Sequence, residues 1–308
     1  MVNRDNTVCL IGLGEAGSIF ARAMSEKAAV RAYDSAWQSD EFRKRTAWTG
    51  DAGICLAGSA AEASTGAKLV LSLVTAAASL DVAREAGTYL RPGQILVDLN
   101  SVSPGTKSRS AALVERGGAA YVDGAIMAPV PPRGLGVPIL LAGAQSKAVI
   151  DSLARFPMNL EIVSERIGLA SATKMCRSVI IKGIEALCAE AFLSARAHGV
   201  EERVLSSLHD TFPGTDWNRF AAYQIGRSLV HGRRRAAEMR EVARTIQETG
   251  LEPSMAHATA HRQDWAADLS DAHPELKKRS DEDWLRTLDL ILAASAHGDG
   301  MPGRDKLQ

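Results

Sequence analysis

The sequence lacks the features that mark several classes of protein. Its 308 residues carry 36 Lys and Arg against 36 Asp and Glu, so the formal net charge is zero. That balance does not support nucleic-acid binding or a polybasic membrane patch. No apolar run reaches the ~18 residues that a membrane span needs, and the first ten residues lack the apolar core of a signal peptide. We therefore expect neither a nucleic acid nor a membrane as partner.

Cysteine is scarce, and the cysteines are spread along the chain with no C-x-x-C pair. The four cysteines are Cys9, Cys55, Cys176 and Cys188. Each lies among apolar neighbours, which predicts buried free thiols and a reducing, cytoplasmic setting. His257 and His261 have the spacing of a metal-binding helix, but no carboxylate ligand motif surrounds them. We predict no metal site.

The character of the chain changes near residue 165. Before it, short apolar runs alternate with helix-like segments, as in a parallel sheet covered by helices on both faces. These runs are 7–11, 29–34, 67–74, 94–99, 119–122 and 138–142. After it, the segments rich in Ala, Glu, Arg and Leu are typical of helices. They span 169–197, 201–210, 215–248, 254–268 and 281–297. We predict an α/β domain over residues 1–165 and an all-α substrate and dimerisation domain over 166–308.

A glycine-rich turn follows the first predicted strand. Gly12, Gly14 and Gly17 form the pattern G-x-G-x-x-G between an apolar strand and a helix. The first glycine permits the tight turn, the second lets the backbone approach a pyrophosphate, and the third lets the helix pack close to the strand. The pattern predicts a dinucleotide site. Its turn consists of Gly12, Leu13, Gly14, Glu15, Ala16 and Gly17.

An acidic residue lies where the dinucleotide's ribose is expected. Asp34 ends the second predicted strand, 17 residues after Gly17. A carboxylate there accepts a hydrogen bond from a ribose 2′-OH and repels a 2′-phosphate, so we favour NAD over NADP. Val74 and Thr75 complete the predicted cofactor-binding set. The alternative is a glycine-rich turn in an unrelated α/β fold.

Polar side chains follow one side of an otherwise apolar predicted helix. Ser171, Lys174, Ser178, Lys182 and Glu185 fall within an arc of about 80° at about 100° per residue. A polar stripe on a buried helix needs partners or a water-filled cleft. A lysine in such a cleft can have a lowered pKa and act as a general acid or base. The alternative is that Lys174 pairs with Glu185 or extends to the surface.

Four motifs, in order, resemble those of the β-hydroxyacid dehydrogenases, the family of 3-hydroxyisobutyrate and 6-phosphogluconate dehydrogenases. They are the glycine turn at 12–17, the substrate loop at 98–104, the stretch 123–143 and the catalytic motif at 168–174. The resemblance implies a Rossmann-type N-terminal domain, a long interdomain helix and a helical C-terminal domain that usually dimerises. It also implies that Lys174 is the catalytic residue.

The sequence departs from the family pattern at the substrate. Met127, Ala128 and Pro129 stand where the family has S-G-G, which holds a substrate carboxylate, and proline lacks the backbone donor. Ser178 replaces an asparagine four residues after the catalytic lysine. Residues 174–187 and 231–239 resemble a subgroup that carries a C-terminal domain of unknown function.

These features predict an NAD(P)-dependent oxidoreductase that transfers hydride between a nicotinamide and a hydroxyl or carbonyl substrate. We expect a homodimer acting on a β-hydroxy acid or related alcohol, with Lys174 as general acid or base. The candidate substrate-binding residues are Asn100, Ser101, Met127, Ser178, Lys182, His231, Arg234 and Arg235. Three alternatives stay open. The first is C=N reduction as in the imine reductases, although those enzymes lack the lysine. The second is oxidative decarboxylation as in 6-phosphogluconate dehydrogenase, although this chain is much shorter than that enzyme. The third is a catalytically silent NAD-binding sensor.

Overall fold

The computed structural model describes residues 7–278 and 283–297. The chain forms two compact units, Met1–Cys176 and Arg177–Gln308. The division falls inside the helix Leu169–Ala197, beyond the predicted change at residue 165. Among the described residues, no helix is both long enough and apolar enough to cross a membrane.

The first unit is built on one sheet, which has eight strands within the described residues. They are β1 (Val8–Ile11), β2 (Val30–Tyr33), β3 (Cys55–Leu56), β4 (Leu69–Ser72), β5 (Ile95–Asp98), β6 (Ala120–Ile126), β7 (Pro138–Ala142) and β8 (Asn159–Ser164). Their spatial order is β3-β2-β1-β4-β5-β6-β7-β8. Every neighbouring pair is parallel except β6 and β7, which are antiparallel. The predicted α/β class is confirmed, with one reversed strand direction that the apolar runs did not indicate.

Helices cover both faces of this sheet. They are α1 (Glu15–Ser25), α2 (Asp40–Arg45), α3 (Trp48–Asp51), α4 (Ala60–Ala63), α5 (Ser79–Tyr89), α6 (Pro104–Arg116), α7 (Val130–Arg133) and α8 (Ser146–Leu153). Successive residues of a strand point to opposite faces. Val8 and Leu10 of β1 therefore join a core with α1 and α8, whereas Cys9 and Ile11 join a second core with α5 and α6. Burial on both faces explains why the strands are continuous apolar runs.

The outer strands escaped prediction because they are not buried. β3 has two residues, both exposed, and β8 is exposed along most of its length. The expectation that all four cysteines are buried is wrong for two of them. Cys55 lies in the edge strand β3 and Cys176 on an exposed side of its helix, whereas Cys9 and Cys188 are buried. Burial raises the pKa of the Cys9 thiol to about 12.

The described part of the second unit is helical, as predicted. Its helices are α9 (Leu169–Ala197), which begins in the first unit, α10 (Glu201–Thr211), α11 (Trp217–Gln247), α12 (Ser254–Ala272) and α13 (Trp284–His297). Residues 281–282, where the last helix was predicted to begin, lie outside the described residues. Gly232 lets α11 and α12 approach closely, because a Cβ there would lie 2.6 Å from the carbonyl oxygen of Gln263. Phe192 and Trp284 meet edge to face at 5.4 Å in the core.

Candidate active site

Two glycines of the turn after β1 are required by the fold itself. Gly12 has φ +95°, a left-handed conformation that favours glycine. A Cβ on Gly12 would lie 2.6 Å from the carbonyl oxygen of Leu73, and one on Gly17 would lie 2.0 Å from the carbonyl oxygen of Gly12. These contacts bring α1 close to the strand, as the pattern predicted.

Gly14 differs, because its missing side chain leaves open space. No described atom lies within 4 Å of a Cβ built on it, and its φ of −68° is ordinary. Gly14 precedes α1, and no side chain caps that helix end. An open backbone surface at an uncapped helix N-terminus suits a pyrophosphate. Beside it, Leu13 is buried, Ala16 is half-buried and Glu15 is exposed.

Asp34 is tied to the glycine turn. The backbone N–H of Leu13 donates to its Oδ2 at 2.8 Å, and the N–H of Ala36 donates to its Oδ1 at 2.9 Å. Val74 is half-buried, with its Cγ1 3.0 Å from a Cβ built on Gly12. Thr75 is exposed just beyond β4. The cofactor candidates thus gather at the carboxyl ends of β1, β2 and β4, where strand order reverses and dinucleotides bind in such folds.

Lys174 meets Ser101 at the same edge of the sheet. Its Nζ donates a hydrogen bond to Ser101 Oγ, and both side chains are half-buried. Ser101 follows β5, whereas Lys174 lies in the second turn of α9. Asn100, also predicted to orient substrate, is buried, and its Nδ2 donates to Ser72 Oγ at 2.9 Å. Ser101 is therefore the member of this loop that faces the lysine.

Met127 offers little to a substrate carboxylate. Its backbone N–H donates to the carbonyl oxygen of Pro138 at 2.9 Å and so extends the β6–β7 pairing. Pro129, two residues later, has no N–H to donate. Two of the three positions that align with the family's S-G-G therefore have no backbone N–H to offer a substrate.

Sequence reasoning missed a buried charged group beneath this edge. It consists of Asp98, Lys107 and Asp123, all almost fully buried. Lys107 Nζ lies 3.0 Å from Asp98 Oδ1 and 3.4 Å from Asp123 Oδ1. Burial raises the pKa of Asp123, an effect that the charge of Lys107 opposes. The only signal in the sequence was a carboxylate within or directly after an apolar run, since Asp98 lies in the run 94–99 and Asp123 follows the run 119–122.

Two of the predicted substrate residues form a buried pair in the second unit. Lys182 Nζ donates to Ser178 Oγ at 3.0 Å and lies 3.1 Å from Glu238 Oε2. Burial lowers the pKa of the Lys182 amine, and the charge of Glu238 opposes that shift. The pair links α9 to α11.

The basic cluster at 231–235 on α11, which includes three of the predicted substrate-binding residues, has several separate partners. Arg235 is buried and lies 2.8 Å from Glu185 Oε2 on α9. Arg234 is exposed and pairs with Glu238 at 2.8 Å. Arg233 faces acidic residues of α12, and His231 is half-buried. The cluster is therefore not a single cationic face. Within the described residues, no three His, Cys, Asp or Glu side chains gather as metal ligands do.

Comparison with known proteins finds two matching domain families and several similar structures. Residues 7–150 match the NAD binding domain of 6-phosphogluconate dehydrogenase, and residues 195–266 match the Domain of unknown function (DUF1932). A conserved hypothetical protein from Sinorhizobium meliloti 1021 is 36% identical over 94% of this chain and 98% of its own, with a TM-score of 0.74. Conserved protein MTH1747, of unknown function and described as similar in structure to 3-hydroxyacid dehydrogenases, is 30% identical over 89% of this chain and 100% of its own, with a TM-score of 0.67.

A characterised enzyme shares the fold at lower identity. The 3-hydroxyisobutyrate dehydrogenase of Mycobacterium tuberculosis is 18% identical over 93% of this chain and 99% of its own, with a TM-score of 0.67. Together, the Rossmann-type sheet, the glycine turn and the matched domain define an oxidoreductase that uses a nicotinamide cofactor. The chain belongs to the β-hydroxyacid dehydrogenase family, in the subgroup whose C-terminal domain has no known function. The resemblance predicted from the sequence is confirmed.

Proposed function

We propose that the chain is an NAD-dependent dehydrogenase that interconverts a hydroxyl and a carbonyl group on a small β-hydroxy acid or related alcohol. The observation that carries the proposal is the hydrogen bond from Lys174 Nζ to Ser101 Oγ. It lies at the carboxyl edge of the parallel strands, as does the glycine turn. A positioned amine beside a hydroxyl group is suited to proton transfer with a substrate oxygen.

The chain's own residues support NAD as the cofactor. The open backbone at Gly14 and the N-terminus of α1 suit the pyrophosphate. The Asp34 carboxylate accepts two backbone N–H groups and retains lone pairs for a ribose hydroxyl. Its negative charge disfavours a 2′-phosphate. When bound, the nicotinamide supplies hydride acceptor or donor chemistry.

Lys174 moves the proton in this proposal. In the oxidation direction its neutral amine takes the proton of the substrate hydroxyl, and in the reduction direction its ammonium group returns a proton to the carbonyl oxygen. Ser101 accepts a hydrogen bond from Lys174, so it holds the amine in place, and its own hydroxyl hydrogen can be donated to the substrate. Ser178, Lys182, His231, Arg234 and Arg235 lie in the second unit. Their part in binding substrate stays a prediction, as does that of Asn100 and Met127.

The test begins with a screen of hydroxy acids, diols and ketones, followed by NADH absorbance. On the substrate found, Lys174→Ala should lower kcat by about 10²–10⁴-fold, while NADH affinity measured by fluorescence stays unchanged. Lys174→Arg should not restore turnover, because guanidinium keeps its proton at working pH. Lys147→Ala is the matched control, since that lysine forms an exposed ion pair with Asp151.

Other outcomes of the same screen would contradict the proposal. Near-normal turnover by Lys174→Ala would remove the lysine from the mechanism. Reduction of cyclic imines, without activity on alcohols or ketones, would favour C=N chemistry. NADH binding without turnover of any compound would favour a sensor.

We also propose that the helical unit forms a homodimer. Ile180 and Leu187, seven residues apart on α9, are 65% and 58% exposed. Tyr223 and Val230, seven residues apart on α11, are each 48% exposed. Such apolar stripes favour association, and a two-fold interface is the commonest arrangement. Light scattering that finds a particle of 32.8 kDa at micromolar concentration would refute it, and Leu187→Glu should weaken the dimer.

A further inference from the structure

We propose that Lys107 is a positioning residue, which holds Lys174 against Ser101 by joining two buried carboxylates. One carboxylate shapes the loop that carries Ser101, and the other fixes the start of the helix that carries Lys174. The inference rests on the proposed role of Lys174 as general acid or base.

The first carboxylate, Asp98, organises the loop after β5. Its Oδ1 accepts the backbone N–H of Asn100 at 2.9 Å, which closes a tight turn just before Ser101. Its Oδ2 accepts hydrogen bonds from Tyr121 at 2.7 Å and from Ser79 at 3.1 Å. The loop that presents Ser101 is therefore bound to a buried carboxylate that is itself held by two side-chain hydrogen bonds.

The second carboxylate, Asp123, holds the first turn of α9. Its Oδ2 accepts the backbone N–H groups of Gly168 at 3.1 Å and Ser171 at 3.0 Å. These groups have no partner within their own helix, and a carboxylate also suits the positive end of the helix dipole. Ser171 Oγ donates to the carbonyl oxygen of Val102, the residue after Ser101. Lys174 follows within the next turn.

Lys107 joins the two carboxylates. Asp98 and Asp123 are direct partners in the register of β5 and β6, so their like charges lie on adjacent strands in a dry environment. Lys107, from the helix α6 that connects those strands, lies within 3.0 and 3.4 Å of them. Its Nζ also donates to the carbonyl oxygens of Asp98 and of Gly124. One buried cation thus serves both the loop and the helix start.

Three buried charged side chains lower the stability of a fold unless their interactions compensate, so their presence points to a positioning role. Burying charges removes them from water, and replacing a buried ionic group by apolar side chains of similar volume is often neutral or stabilising. Here the three charges support the two segments that bring Lys174 and Ser101 together. The loss of Lys107 would leave two buried carboxylates on adjacent strands without their shared cation, which favours the uptake of a proton by one of them. The hold on the loop or on α9 would then weaken.

The test measures the freedom of the Lys174 amine directly. The native protein is acylated briefly with acetic anhydride, and labelling of Lys174 is compared by mass spectrometry with that of exposed lysines in the same sample. Lys107→Met should raise relative labelling of Lys174 several-fold, whereas Lys147→Met, which breaks the exposed pair with Asp151, should not. With a substrate in hand, kcat should fall more than KM changes.

A second variant guards against a failure to fold. Lys107→Met/Asp123→Asn removes one charge of each sign, so only the Asp98 carboxylate is left buried without a cation, and its three other hydrogen-bond donors remain. A folded variant of either kind with wild-type labelling of Lys174 would refute the proposal, even if its thermal midpoint had dropped. If neither folds, amide hydrogen exchange of wild type decides, because fast exchange at Gly168 and Ser171 would equally refute it.

Failure of the proposed function gives a different result. If Lys174→Ala kept its turnover, the acid–base role would be lost. The labelling experiment needs no turnover, so it would still report whether Lys107 positions the Lys174 side chain.

Discussion

Replacing Gly14 by alanine separates cofactor binding from folding. A Cβ on Gly14 meets no described atom within 4 Å, and its φ of −68° suits alanine. The change should alter stability by less than about 1 kcal/mol, because the gain of about 0.4–1 kcal/mol from restricting the unfolded chain is opposed by the weaker capping of α1 by alanine at this N-cap position. The same Cβ would occupy the space in which a pyrophosphate approaches the backbone. Loss of one hydrogen bond to a charged group costs ~1.5–3 kcal/mol, and ~1.4 kcal/mol is tenfold in affinity.

We therefore expect Gly14→Ala to bind NADH at least about tenfold more weakly, with a thermal midpoint close to that of wild type. Gly17→Ala should instead lower the thermal stability of the protein, because its Cβ would lie 2.0 Å from the carbonyl oxygen of Gly12. Overpacking of that kind destabilises by ~1–3 kcal/mol or more. Gly50→Ala is the matched control, since Gly50 is exposed in α3 and its Cβ would also meet nothing.

Differential scanning fluorimetry without ligand gives the stability, and a fluorescence titration with NADH gives the affinity. The reasoning is refuted if Gly14→Ala binds NADH as wild type does, because the open surface above Gly14 would then have no part in binding. A large loss of stability in Gly14→Ala would also contradict it, since nothing in the described structure fills that space.

Three further predictions concern other parts of the chain. Asp34→Ser should narrow the preference for NAD over NADP, measured by parallel titrations, because the charge that repels a 2′-phosphate is removed. Glu185→Gln should destabilise the protein by about 3–5 kcal/mol in denaturant unfolding, because it leaves the buried guanidinium group of Arg235 and the half-buried one of Arg227 without their carboxylate. Arg233→Gln, in an exposed pair, should change stability little. In the native protein the exposed thiols of Cys55 and Cys176 should react with a thiol reagent at mildly alkaline pH. The two buried thiols, whose pKa values are about 12 and about 11, stay protonated and should not.

Each of these has a clear contrary result. Tighter binding of NADP than of NAD by the wild-type protein would refute the cofactor assignment. Equal unfolding midpoints for Glu185→Gln and wild type would mean that the buried pairs contribute nothing to stability. Reaction of all four thiols at one rate would contradict the burial of Cys9 and Cys188.

The elements that sequence reasoning found are those whose burial leaves a pattern. β1, β4 and β5 are buried on every residue, and each contains at least three consecutive apolar residues. The helix predicted over 169–197 matches α9 at both ends. β8 was missed because only three of its six residues are apolar, so it forms no continuous apolar run. The reversal between β6 and β7 depends on strand pairing, which a local pattern does not encode.

The same limit explains what was missed in the site. The glycine turn, Asp34 and Lys174 follow fixed spacings along the chain, so they could be predicted. The role of Lys107 depends on Asp98 and Asp123 becoming register partners, which happens only when β5 and β6 pair. In the sequence alone, Lys107 is one of 36 lysine and arginine residues, and the helix that carries it has an ordinary composition.

The hydrogen bond from the Leu13 N–H to Asp34 means that the residue proposed to select the cofactor also stabilises the glycine turn. A replacement of Asp34 that cannot accept a hydrogen bond also removes an acceptor from the turn that we propose binds the pyrophosphate. An evolving enzyme would therefore lose affinity for both cofactors before gaining the new one, unless the replacement still accepts from Leu13. Serine and asparagine meet that condition and alanine does not. The first viable step toward a changed cofactor is thus a polar residue, with a basic partner for the phosphate added only afterwards.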